Sequence, residues 1–305
     1  MNSALLRCRF RKIAASPLNE DFKLNLLYCS SPLKNTDRRK IDRMMKKRYF
    51  AIPILAIALH FLLSNLFYFL VERLVLDVFH ISPQQFMKHS YWGEILIYAV
   101  LILVFFMFYK LLWRKEVREP RTMTNFKDVL GSLVVGFGIC GISGLWIMLA
   151  EQLPSLQKSV EAMNAGAENI AGGNAFGTFM IAVIAAPIVE EILFRGIVLR
   201  SMRKFTPAWA SILISSVLFG VYHLNIVQAA YATLMGIAAG ILYEKKRNLL
   251  FPILVHFANN LITMLQGFAP SEVNELISIF ILIMIAPAGY VVCRSLRQGK
   301  RADSM

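Results

Sequence analysis

Eight apolar stretches run along this chain, at residues 49–71, 92–113, 129–150, 176–199, 208–224, 227–243, 249–265 and 273–292. Each is near the roughly 17–25 residues that a helix needs to cross a bilayer. In hydrocarbon the backbone must satisfy its own hydrogen bonds, and segments of this length do so as helices. The chain is 57% hydrophobic and 17% charged, against roughly 45–50% and about 25% in soluble domains. The predicted fold is all-α, a polytopic membrane protein of about eight transmembrane helices.

A formal net charge of +14 would suit a nucleic-acid binder. The basic residues instead gather in every second loop. Lys46, Lys47 and Arg48 precede the first stretch, and Arg114, Lys115, Arg118 and Arg121 follow the second. Arg200, Arg203 and Lys204 follow the fourth, Lys245, Lys246 and Arg247 the sixth, and Arg294, Arg297, Lys300 and Arg301 the eighth. Basic loops stay on the cytoplasmic side, so both termini are expected there and no nucleic-acid partner is expected. The expected location is a cell membrane. Cys8, Cys29, Cys140 and Cys293 form no CxxC pair, which suggests neither a zinc site nor a disulfide framework.

Three regions follow: a polar, basic segment at 1–48, a transmembrane bundle at 49–293 with a core at 176–265, and a basic cytoplasmic tail at 294–305. The first has no apolar run of the kind a signal peptide needs. It reads as a disordered arm, a lipid-surface anchor, or sequence upstream of a natural start at Met44 or Met45. The loop 151–175 reads as a mobile connection or a short amphipathic helix. Glycines 131, 136, 138, 141 and 144 in the third stretch read as a close helix contact.

The fourth stretch contains IAVIAAPIVEEILFRGIVLR, with Glu190 and Glu191 side by side and Arg195 four residues later. An acid at the bilayer centre costs roughly 2.5–3.5 kcal/mol. Neighbouring helix residues point about 100° apart, so the two acids cannot share one partner. Glu191 and Arg195 lie on one stripe in the favourable acid-first order. Glu190 must therefore face a different partner. The plainer alternative is an ion-pair cluster that fixes packing.

Two further constellations follow: Phe219-x-x-x-His223 in the fifth stretch and His256-x-x-x-Asn260 in the seventh, with Asn259 alongside. Buried polar groups need partners, and these groups are the obvious partners for one another. A carboxylate beside imidazoles can hold and deprotonate a water. Histidine and asparagine can donate to an oxyanion. The same set could instead hold zinc through Glu190, His223 and His256 with an open position for water. These residues alone do not separate the two mechanisms.

EExxxR, FxxxH and HxxxN in this order on apolar segments resemble the CPBP family. That family groups type II CAAX prenyl endopeptidases with bacteriocin-processing and self-immunity (Abi) proteins. The resemblance covers residues 176–265, under a third of the chain. It implies an intramembrane endopeptidase acting on a membrane-embedded or membrane-tethered peptide. By position, Glu190 would activate the water, His223 and His256 would hold it, and Asn260 would serve the oxyanion. Glu191 and Arg195 would be the supporting pair, with Phe219 completing the second motif. The resemblance favours glutamate-activated water without a metal or cofactor, with zinc the alternative. Chain size and short loops suit a bacterial member, so prenyl-cysteine substrates are not expected.

Other readings are weaker. Gly141-Ile142-Ser143-Gly144 matches a GxSG serine-protease motif but leaves both glutamates and Arg195 unexplained. A proton-coupled transporter would be expected to show a repeat pair, and none is visible. A non-catalytic self-immunity or peptide-binding membrane protein is the main alternative.

Overall fold

A computed structural model of the chain describes residues 35–80, 82–114, 116, 124–169 and 174–302. The chain divides into two compact units, Met1–Arg48 and Tyr49–Met305. Of the first, residues 35–48 are helical, and the rest of the segment expected to be a basic arm lies outside the described residues. The account below concerns the second unit.

The helices are α1 (Asn35–Arg73), α2 (Pro83–Leu112), α3 (Phe126–Glu151), α4 (Gln157–Asn169), α5 (residues 175–202), α6 (Ala208–Tyr222), α7 (Ile226–Lys246), α8 (Leu250–Phe268) and α9 (Ser271–Ala302). All eight apolar stretches are helical, and the described residues contain no strand. The chain is an all-α, multi-pass membrane protein. Among the described residues, five helices are long and apolar enough to cross a membrane: Tyr49–Val78, His89–Leu112, Phe126–Glu151, Ile226–Lys246 and Ser271–Arg297. The other three differ for local reasons. α6 has only 15 residues. His256, Asn259, Asn260 and Gln266 dilute the apolarity of α8. α5 is broken into short pieces of differing helical pitch.

Side-chain caps start the helices as their sequences suggest. Asn125 accepts from the Asp128 N–H at the head of α3, and Ser82 forms a capping box with Gln85 on α2. The loop predicted as mobile or amphipathic contains the helix α4, while residues 170–173 lie outside the described residues.

α5 is buried from every side: Val189, Leu193, Phe194, Ile197, Val198 and Leu199 are all 0% exposed. A helix apolar all round belongs in the centre of a bundle. α2, α6 and α8 pack around it, while α3 bridges α8 and α9. The glycines of α3 make that bridge possible. A Cβ on Gly136 would strike the Val255 carbonyl of α8, and one on Gly138 would strike Ala288 of α9.

Candidate active site

The site begins with a proline. Pro187 has no N–H to donate and would crowd a regular helix, so the turns before it widen. Over Phe179–Ala185 the backbone bonds reach five residues instead of four, and the Ala186 N–H accordingly donates to Ile181 O. In that register the next donor should be residue 187, reaching the carbonyl of Ala182. Proline cannot supply it. Asn260 of α8 does so instead, its amide donating to Ala182 O at 2.8 Å. A second wide stretch, Ile192–Leu199, follows the two acids.

Between these wide stretches, Ala186–Glu191 carries both glutamates. Glu191 is 0% exposed and Arg195 1%. Arg195 Nη1 donates to Glu191 Oε1 at 2.8 Å, the pairing expected of their spacing. His256 Nδ1 lies 3.2 Å from the same oxygen. The other face of the guanidinium rests on the Phe219 ring, 4.8 Å from its centroid. Among the described residues, the buried Arg195 Nε and Nη2 have no hydrogen-bond partner.

Phe219 also joins the histidines. Its ring meets that of His223 edge-on at 5.0 Å and that of His256 at 5.7 Å. Glu190 faces the same group from α5. Its Oε2 is buried without a hydrogen-bond partner and lies 3.9 Å from His256 Nε2. Among the described residues no hydrogen bond or ion pair joins His223 to Glu190 directly; Phe219 lies between the two histidines instead.

The hydrogen bonds assign the ring protons. A carbonyl can only accept, so His223 Nδ1 donates to Phe219 O, 2.9 Å away, and Nε2 keeps a lone pair when the ring is neutral. Glu191 already serves as the carboxylate partner of Arg195, so His256 Nδ1 donates to it. The lone pair of a neutral His256 is then on Nε2, towards Glu190. Asn260 has one amide hydrogen on Ala182 and one left over, and its Oδ1 accepts from Asn259 at 3.1 Å.

The zinc alternative requires Glu190, His223 and His256 to converge. Among the described residues no three His, Cys, Asp or Glu side chains are grouped to hold a metal ion. Ser143 of the GxSG motif donates to Ile139 O of its own helix at 2.9 Å.

Residues 172–262 match the family described as type II CAAX prenyl endopeptidase, Rce1-like. This stretch is similar to that family. It holds Glu190, Glu191, Arg195, Phe219, His223, His256 and Asn260. A curated relative, "Putative membrane peptidase YdiL" of Bacillus subtilis (strain 168), is 31% identical over 91 residues. The match spans 30% of this chain and 37% of the relative's length. No solved structure matches the chain.

Several contacts of the matched stretch are not visible in its motifs. Tyr222 Oη lies 2.9 Å from Nδ1 of His60, a buried residue of α1, and the Tyr222 ring borders His223. Asn225 caps α7 while donating to Ser159 O of α4 at 2.7 Å. Between His223 and Asn225, Leu224 adopts φ 55°, a left-handed conformation costly for a branched side chain. The α4 contact thus holds the strained turn that presents His223. An Asn ahead of an apolar helix was the one signal of this cap in the sequence.

Proposed function

We propose that the chain is an intramembrane endopeptidase of a bacterial cell membrane. It hydrolyses a peptide bond in a membrane-associated peptide or protein through a water activated by Glu190. The observation that carries this reading is the Glu190–His256 gap. The two atoms, 3.9 Å apart, are too distant for a direct hydrogen bond and close enough to hold one water at a corner between them. Such a water donates one O–H to Glu190 Oε2 and the other to His256 Nε2. Its lone pairs are then free for a carbonyl carbon.

The steps balance within these residues. Glu190 takes a proton as the water oxygen bonds to the carbonyl carbon. The oxyanion is met by the second amide hydrogen of Asn260. Glu190 returns the proton to the amide nitrogen as the C–N bond breaks. His223 completes the site across the Phe219 ring, its orientation fixed by the Nδ1–H bond to Phe219 O. Glu191 fixes the tautomer of His256, and Arg195 and Phe219 hold Glu191 in place. No step passes through a metal.

The test is membrane peptidomics of cells carrying the wild type against Glu190→Gln. Loss of a general base should reduce cleavage by about 100- to 10,000-fold at equal abundance. Unchanged peptide pools would favour an immunity or peptide-binding role. EDTA should leave the rate unchanged; a loss reversed by zinc would turn Glu190, His223 and His256 into ligands.

A further inference from the structure

A second site lies away from the Glu190 cluster, where α2, α5 and α7 end. A cavity of about 230 Å³ opens there between Lys110, Arg114, Arg200, Arg203, Lys204 and Arg247. Among the described residues Glu116 is its only acidic wall residue. Glu116 pairs with Arg200 at 2.7 Å and with Lys204, while Glu244 pairs with Arg203 at 3.2 Å and Arg247 at 3.0 Å. Two carboxylates against six cations leave four positive charges in excess among the described residues. An arrangement so unbalanced calls for an anion.

The aromatic residues indicate where the anion comes from. The Arg200 guanidinium sits 4.5 Å over the Trp113 ring, and the Lys204 ammonium 5.7 Å from the same ring. Tyr109 and Tyr243 complete the wall. Trp and Tyr beside Lys and Arg at helix ends mark the depth of lipid headgroups. The loops that leave these helix ends are the basic ones, on the side where anionic lipids attract cations. Trp113 is itself fixed, its Nε1–H donating to Gly196 O of α5 at 2.9 Å.

We propose that this cavity binds the phosphate group of an anionic phospholipid headgroup. The aromatic side chains flank the lipid at the interface, and the cations ring the phosphate. The proposal stands independently of the protease reading, because none of these residues belongs to the Glu190 cluster.

The test uses the full chain in a non-ionic detergent. Native mass spectrometry measures retention of phosphatidylglycerol and of phosphatidylcholine, and thermal unfolding is followed with and without inorganic phosphate. The variant is Lys110→Gln with Arg114→Gln, since neither residue holds Glu116 or Glu244. The control is Arg294→Gln with Arg297→Gln, an equal charge change on exposed positions of α9. The wild type and the control should retain phosphatidylglycerol well above phosphatidylcholine. The cavity variant should bind it roughly 25-fold more weakly, about fivefold per cation. Equal loss in the control would reduce the effect to diffuse surface charge and overturn the proposal. Equal retention of both lipids would overturn it too. Stabilisation by inorganic phosphate with no preference for phosphatidylglycerol would make the ligand soluble and overturn its lipid source.

Discussion

Asn260 of α8 donates its amide to the carbonyl of Ala182, five residues before Pro187 on α5. The bond replaces the one that the proline ring removes. Asn260→Ala should therefore lose both abundance and cleavage, since a buried carbonyl left without a donor costs about 1–3 kcal/mol. Adding Pro187→Ala returns an N–H to the helix and should restore the yield of folded monomer. Cleavage should stay low, because the oxyanion donor is still missing. A double variant no more abundant than Asn260→Ala alone would show that the contact is incidental.

Glu191→Gln should lower the amount of folded protein, because it leaves Arg195 buried beside a weaker acceptor. Removing one side of a buried pair costs about 3–5 kcal/mol. The double change with Arg195→Gln should regain part of that loss. Detergent-extracted monomer yield is the measurement. If Glu191→Gln were inactive but fully stable, with the double change no better, Glu191 would be the water-activating acid.

The ring of Phe219 serves three groups at once: Arg195 above it and the two histidines at its edge. Phe219→Leu should lower stability through lost packing and a buried cation–π contact worth about 2 kcal/mol. In the Glu191→Gln, Arg195→Gln background the same change should cost less, since no cation remains over the ring. Equal costs in both backgrounds, read from thermal unfolding, would sink the assignment.

Reporter fusions at Arg203 and Lys246 should read cytoplasmic, and a fusion at Gly166 in α4 should read outside. The alternation of basic loops is the reason. Gly166 and Arg203 on one side would mean that α5 does not cross the membrane.

Glu191 and Arg195 show which parts of the site sequence can reveal. Their pairing follows from helix geometry alone, because residues four apart share a stripe. The wide turns before Glu190 had a visible cause in Pro187, but a proline announces a disturbance without saying how it is resolved. Asn260 is the opposite case. Its residue type was legible, but the carbonyl it reaches depends on how α8 is rotated against α5, which periodicity does not specify. The basic cavity was written as three separate loop charges, and only the ends of α2, α5 and α7 coming together made it one site.

The ion pair inside α5 also bears on how the protein is made. His256 lies 65 residues after Glu191, so α5 leaves the ribosome well before α8 exists. Two bare acids and a bare arginine would meet the translocon as a poor candidate for release into lipid. Because Arg195 closes onto Glu191 within the same helix, the segment carries a ready-made internal counter-ion during insertion. Glu190 alone must then wait, in the nascent chain, for a partner that has not yet been translated.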